Sequence, residues 1–428
     1  MPSSSLFKTG IRLKLFAPAI VLVLNSLVWL SLTYVAFSGS VDQLSLPLGE
    51  RLSLYGTYYA AIALSAMVGA SYFPRSRENY LVLWMFFGTI MTLLLPIAYG
   101  KGIVLDVLVS LLFGVSVGAG LPSSLAYFAD TTRVENRGTC GGIAWGVVGF
   151  GILSLALLIS TFDTLQTFVA LASWRAAGLV AFFLLSRLRG RLQLSTSSSS
   201  YGFILRRRDV ILYLLPWVMF SLVNFAESPI LGKLFGDFQI FVGLVEFAIT
   251  GFFAIVGGIL ADIVGRKRVV ITGFVILGIE YAMLSLFSAS KVSWYVYTTC
   301  DGIAWGMFAS VFFMTLWGDL AEDGQKEKYY LLGGLPYLLA GFLPVLVKPF
   351  AEGIEISTAF SLASFFLFLA VLPLMYAPET LPEKKIKEME LKSYADKAKK
   401  MKEKTLRTKM FAGRGEASVF SRDSDDEL

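Results

Sequence analysis

Apolar residues in this chain neither alternate nor keep to one helical stripe. They run on, with few breaks, for about twenty positions at a time. A helix rising 1.5 Å per residue needs roughly 20 apolar residues to cross a hydrocarbon core about 30 Å thick. Twelve runs of this kind can be marked, at 15–37, 54–73, 80–99, 103–128, 138–161, 174–188, 210–230, 238–261, 269–289, 293–317, 330–350 and 357–376. The first is longer than the roughly 7–15 apolar residues of a secretory signal and reads as a membrane helix. The sixth is short, and the apolar residues 168–172 ahead of it are open to assignment to the helix or to the preceding loop.

The polar segments between the runs carry the orientation, because positive charge near helix ends is retained on the cytoplasmic side. With both termini cytoplasmic, the inner segments ahead of the tail hold eighteen Lys/Arg. The outer segments hold six: Arg51, Lys101, Arg175, Lys233, Lys291 and Lys348. The longest internal polar stretch, 187–209, contains a serine run and reads as a flexible linker. It divides the membrane part into two six-helix halves, 1–186 and 210–377. From Pro378 the chain becomes polar, with 13 basic and 11 acidic residues, and reads as a mobile cytoplasmic tail, 378–428.

Composition narrows the class. Of 428 residues, 56% are hydrophobic and 16% charged, against about 25% charged in soluble domains. A soluble globular protein is excluded, and the expected fold is all-α and integral to the membrane. Histidine is absent, and the two cysteines, Cys140 and Cys300, lie inside apolar runs. Proton chemistry must therefore fall to carboxylates. Neither a cofactor nor a metal is called for, and no Walker loop, metal-ligand cluster or catalytic triad points to an enzyme.

The two halves match residue by residue. Gly69 and Gly258, Arg77 and Arg266, and Asp130 and Asp319 each stand 189 positions apart, while Asn25 and Asn224 match at 199. Parallel repeats are a common construction in transporters. Cys140-Gly-Gly-Ile-Ala-Trp-Gly146 and Cys300-Asp-Gly-Ile-Ala-Trp-Gly306 also look alike, but they fall on the fifth and tenth runs and are read as Gly-rich packing alone.

The sharpest motif is Gly257-Gly258-Ile259-Leu260-Ala261-Asp262-Ile263-Val264-Gly265-Arg266-Lys267-Arg268, between the eighth and ninth runs. Glycines let helices approach closely, and an Asp at a helix C-terminal end needs a cation beside it. Gly265-Arg266-Lys267 turns the chain and supplies that cation. The segment resembles the G-x-L-A-D-x-x-G-R-K signature of the major facilitator superfamily. Glu135-Asn136-Arg137-Gly138, Trp174-Arg175 and Pro378-Glu379-Thr380 resemble shorter motifs of the same family. The resemblance implies two pseudo-symmetric six-helix bundles that rock about a central site, lined by the first, fourth, seventh and tenth helices. It also implies a cytoplasmic charge gate of Gly258, Asp262, Gly265, Arg266 and Lys267 with Asp130, Arg137 and Asp319, which favours the outward-open state. The first-half copy carries Phe73 where the acid belongs, so the gate is expected to act on one side only. The fifth run lacks the Gly-Pro pair of drug antiporters, and the seventh lacks the Gln-rich pattern of sugar porters.

Ionisable residues within spans cost about 2.5–3.5 kcal/mol on insertion scales and are functional candidates by default. Asp301, Glu246 and Glu280 fall at mid-depth, Glu227 and Asn224 in the outer half of the seventh run, and Asn25 near the middle of the first. The cavity-lining helices of the resembled fold make Asn25, Asn224, Glu227 and Asp301 the substrate-binding candidates, with Trp29 and Trp305 one turn along the same helix faces. Asp301 with Glu246 or Glu227 is the candidate proton-coupling pair; a packing role for these acids stays open. Glu280, on a peripheral helix, reads as a snorkelling or interhelical group. No Lys or Arg falls at mid-depth in the runs as bounded, and an anionic solute would want one. A small neutral or cationic solute is expected, moved by a proton-coupled carrier that works as a monomer in the plasma membrane without nucleic-acid partners. The alternatives are an exporter of lipophilic cations and a transporter-fold sensor signalling through the tail.

Overall fold

The computed structural model describes residues 13–72, 77–189, 200–321, 325–382, 387 and 391. Among them are twelve helices long and apolar enough to cross a membrane. They are α1 (Phe16–Gln43), α2 (Leu48–Ser71), α3 (Arg77–Ala98), α4 (Ile103–Thr131), α5 (Val134–Ile159) and α6 (Thr164–Leu188), then α7 (Arg208–Phe235), α8 (Phe238–Val264), α9 (Arg266–Leu286), α10 (Lys291–Leu320), α11 (Lys326–Gly353) and α12 (Ile356–Tyr376). No strand occurs among the described residues.

The twelve runs and the twelve helices correspond one to one, and the largest boundary difference is at α6. The helix begins ten residues ahead of the expected start because Asp163 and Gln166 form a capping box. The Gln166 amide donates to Asp163 Oδ1 at 2.7 Å, and the Asp163 amide donates to Gln166 Oε1 at 3.2 Å. Phe168 and Leu171 are buried within it. Arg175, read as an outer-loop cation, therefore lies about 16 Å along the span, near its middle. The premise that no cation stands at mid-depth is corrected accordingly.

Packing repeats between the halves. In the first, α2 packs on α4, α3 on α6, and α1 on α5 and α6; in the second, α8 packs on α10, α9 on α12, and α7 on α11 and α12. The 189-residue register extends to irregularities. The helical pattern of α4 breaks at Ala119 and Gly120, and at the equivalent depth of α10 a π-helical turn spans Ala309–Phe313. Such turns re-aim the following residues relative to the helix before them.

The halves meet principally where α5 lies on α8 and where α11 lies on α2 and α4. Lipid offers little hydrophobic gain for helix association, so close backbone approach has to supply the packing. A Cβ on Gly142 would sit 2.3 Å from the Ala254 carbonyl, and one on Gly258 would sit 2.2 Å from the Gly138 carbonyl. Gly306 of α10 approaches α8 from its other flank, 2.6 Å from the Ala254 nitrogen by the same construction. The two Gly-Ile-Ala-Trp-Gly segments thus share α8 as a partner.

The linker is only partly the flexible stretch expected. Residues 190–199 lie outside the described residues, but Tyr201–Ile204 form a short helix. The Tyr201 hydroxyl lies 3.0 Å from that of Ser71 on α2, and its ring lies 5.1 Å from the ammonium of Lys328 on α11. The chain divides into compact units Met1–Thr380 and Leu381–Leu428. Most of the second, and with it the expected tail, lies outside the described residues, as does Phe73.

Gly258→Ala is expected to destabilise the purified protein by about 1–3 kcal/mol through overpacking. Gly243→Ala, on the same helix with nothing within 4 Å of the added carbon, is the matched control. Thermal unfolding in detergent reads the difference.

Candidate functional site

Three groups of buried charges organise the interior, and each balances its charge differently. The first lies at the end carrying the α2–α3, α4–α5, α8–α9 and α10–α11 loops. Asp319, at the end of α10, is fully buried and pairs with Arg137 at the start of α5 and with Arg266 at the start of α9, the latter at 3.1 Å. Asp130, at the end of α4, pairs with Lys326 at the start of α11 at 2.5 Å and with Arg77 at the start of α3. Lys326 stands 189 positions after Arg137, so the two triads are copies of one design. Each acid joins a cation of its own half to a cation of the other.

Asp262 adds a second link at the α5–α8 seam. Its carboxylate accepts the Gly138 amide at 3.1 Å and the Thr139 amide and hydroxyl, both at 2.7 Å, and pairs with Arg266 at 3.0 Å. A carboxylate at the N-terminus of α5 meets both the unsatisfied amides and the positive end of the helix dipole. Gly265 turns the chain between α8 and α9 with φ near +102°, a conformation open to glycine at little cost. Lys267 donates to the carbonyls of Met375 and Ala377 at the end of α12. Glu379, noted in the sequence only as part of a family-like tripeptide, accepts the Arg266 and Lys267 amides at 2.9 and 3.2 Å. All the gate candidates thus fall within one connected set of contacts, together with Arg77 and Glu327, which the sequence reading did not select.

The second group sits in the centre of the second half. Asp301 (α10) faces Glu246 (α8) and Glu280 (α9) side chain to side chain, and Glu227 (α7) adds its charge to the same locality. Asp301, Glu227 and Glu280 are sealed from solvent, whereas Glu246 is part-exposed. Neither oxygen of Glu227 or of Glu280 completes a hydrogen bond of normal geometry, although Tyr281 stands close to the first and Asp301 to the second. Tyr281, Tyr297 and Tyr337 also stand within electrostatic reach of Asp301, and no cation pairs with it among the described residues. Glu280 does not snorkel: it is fully buried, because α9 packs on α10 and presents it to Asp301. The expected pair is therefore part of a four-acid cluster.

An aromatic face adjoins the part-exposed Glu246. The Trp305 ring lies 5.0 Å from Phe220 and 5.6 Å from Tyr337, and Tyr337 lies 4.9 Å from Phe225 and 5.0 Å from Phe313. Tyr337 is within electrostatic reach of Glu246, Asp301 and, from the other half, Tyr34. Asn224, beside Phe225, is part-exposed.

The third group corrects the first-half site candidates. Asn25 and Trp29 do not face the space between the halves; they are buried where α1 meets α3 and α6. Asn25 donates to the Trp174 carbonyl at 2.6 Å and accepts from Arg175 at 3.1 Å. Trp29 donates to Thr92 at 2.8 Å. The Arg175 guanidinium also donates to Ser26 at 2.8 Å and lies between the rings of Trp29 and Trp84, at 4.4 and 4.3 Å. Two aromatic faces, one amide oxygen and one hydroxyl stabilise this buried cation, with no carboxylate paired to it among the described residues. The polar atoms that singled out Asn25 are used in holding α6 to α1.

No protein-family model matches the sequence, and no curated protein does. Among solved structures, the chain is similar to the fucose:proton symporter of E. coli, with a TM-score of 0.63 at 13% identity over 85% of this chain and 98% of that one. It is also similar to a human organic anion transporter, with a TM-score of 0.60 at 13% identity over 84% and 99%. The chain has the major facilitator fold.

Asp319→Asn removes the acid shared by two buried guanidinium groups. A loss of about 3–5 kcal/mol is expected, several times that of Asp163→Asn at the exposed start of α6, as measured by thermal or denaturant unfolding.

Proposed function

We propose that the chain is a secondary active transporter of a small neutral or cationic solute, working by alternating access and coupled to protons. The carrying observation is the contact of Asp301 with Glu246 and Glu280, with no cation paired to Asp301 among the described residues, beside the part-exposed aromatic face of Trp305 and Tyr337. Carboxyl groups held side chain to side chain away from water cannot all be ionised at once without partners, so the cluster has to hold at least one proton. Glu246, part-exposed, is the entry point; Asp301 links it to Glu280 and Glu227. Solute bound against Trp305 and Asn224 would sense the charge on Glu246, which is how a proton and a solute come to share one equilibrium.

The Lys/Arg bias supports placing the charged end in the cytoplasm, and moving Arg175 out of the outer loops strengthens that bias. The inter-half ion pairs then hold the cytoplasmic side shut. The preference for neutral or cationic solutes no longer rests on the absence of a mid-depth cation. It rests on Arg175 being enclosed within the first half while the ionisable group facing the space between the halves is an acid. Export of an organic cation is the second reading, favoured by the ring cluster beside Glu246, since aromatic faces attract cations. One solved protein of this fold is a fucose:proton symporter and the other an organic anion transporter, so the fold itself leaves solute charge open.

The test is a thermal-shift screen of purified protein against sugars, amines, amino acids, nucleosides and carboxylates at about pH 5.5 and 7.5, because a ligand of the folded state raises apparent stability. A neutral solute carried with a proton should stabilise more at the lower pH; a cation competing with protons should stabilise more at the higher. Asp301→Asn is expected to remove the pH dependence in either case, followed as uptake into liposomes. Stabilisation by carboxylates alone, unchanged by pH, would overturn the reading.

A further inference from the structure

The two triads at the charged end are copies, but the second acid on each own-half arginine reaches it by a different route. In the second half, Arg266 is met by Asp262, four residues before it and in the same half. The equivalent position before Arg77 is Phe73, outside the described residues. Arg77 is nonetheless doubly paired, with Asp130 of its own half and with Glu327, at the start of α11 in the other half. Arg77 and Glu327 are 3% and 1% exposed.

The position of Glu327 accounts for the exchange. Subtracting 189 from 327 gives 138, and Gly138 is the residue against which Asp262 lies. A Cβ at Gly138 would stand 2.7 Å from Asp262 Oδ1. Around Arg266, therefore, the carboxylate comes from the α8 side and the facing position is bare. Around Arg77 the facing position carries the carboxylate and the motif position does not. Each arginine has two acids, and one of them has changed halves.

We propose that Glu327 supplies from across the interface the acid that the first half lacks at position 73, making it a positioning residue that latches α11 to α3 and completes a gate on both sides of the pseudo-symmetry. The inference takes the rocking of the two halves from the proposed function and goes beyond it in assigning the latch. The two sides then release differently. When the halves part, Asp262 and Arg266 move together and only the bonds from Gly138 and Thr139 are lost on that acid. Arg77 and Glu327 move apart, and a buried ion pair is separated. The first-half side carries two cross-half ion pairs, Arg77–Glu327 and Lys326–Asp130, against Arg137–Asp319 on the other.

Hydrogen–deuterium exchange of the full chain in detergent, without solute, tests this. Wild type, Glu327→Gln, Glu327→Gln with Phe73→Asp, and Asp262→Asn are compared on peptides from the ends of α4 and α11, 126–132 and 326–332. Glu327→Gln is expected to raise exchange there about tenfold or more, and adding Phe73→Asp to return most of that gain. Exchange unchanged by Glu327→Gln while Asp262→Asn raises it would overturn the assignment of Glu327 and leave the rocking intact. Exchange unchanged in both would overturn the rocking itself. A rise that Phe73→Asp does not reverse would overturn the relocation of the acid. If Glu327→Gln does not fold, recovery of folding by Phe73→Asp supports the proposal, and failure to recover counts against it.

Discussion

A charge removed from water must be paired, stabilised by fixed dipoles or aromatic faces, or neutralised by a proton, and this chain uses all three solutions in three places. At the charged end, arginines and carboxylates share partners in two triads. In the first half, Arg175 is held by Asn25, Ser26 and two indole rings. In the second half, four acids meet, and no cation pairs with Asp301 among the described residues. The first solution is strong and geometric, the second rests on aromatic faces and neutral polar atoms, and the third, under the proposed function, is met by a proton.

The division follows the mechanical needs of the fold. Under the proposed alternating access, cross-half contacts have to hold one arrangement and yield in another, which ion pairs at helix ends can do. The seam of α5 and α8 is instead built from glycines and small residues, which allows contact without interlocking side chains. Contacts within a half need not yield, and there Asn25, Trp29 and Arg175 are buried among α1, α3 and α6. The acid cluster lies within one half, with a single part-exposed member, Glu246.

Much of this was legible in one dimension. The runs marked the spans because hydrocarbon accepts only long apolar helices, and the 189-residue register was visible because the two halves retain the charges that close them. The start of α6 was missed for a local reason: Asp163 and Gln166 form a capping box whose residues look like an ordinary loop, and Arg175 moved with the boundary. Of the two readings of Glu280, the interhelical one holds and the snorkelling one does not, because the analogy of helix positions says which helices surround a cavity, and says little about what lies inside a bundle. Asn25 and Trp29 were misplaced for the same reason, since a mid-span amide is equally suited to a solute and to a neighbouring arginine.

The amino-acid sequence by itself determined the membrane environment, the twelve helices, the repeat and most of the charged residues at the helix ends, because all of these depend on residue type at fixed spacing. The tertiary structure alone decided the partners. Glu327 reaches Arg77 across 250 positions, Glu379 returns to the start of α9, and four acids from α7, α8, α9 and α10 converge on one place. Such pairings depend on which faces of packed helices meet, and helix–helix contact in lipid is set by close steric fit rather than by any periodicity that can be read along the chain.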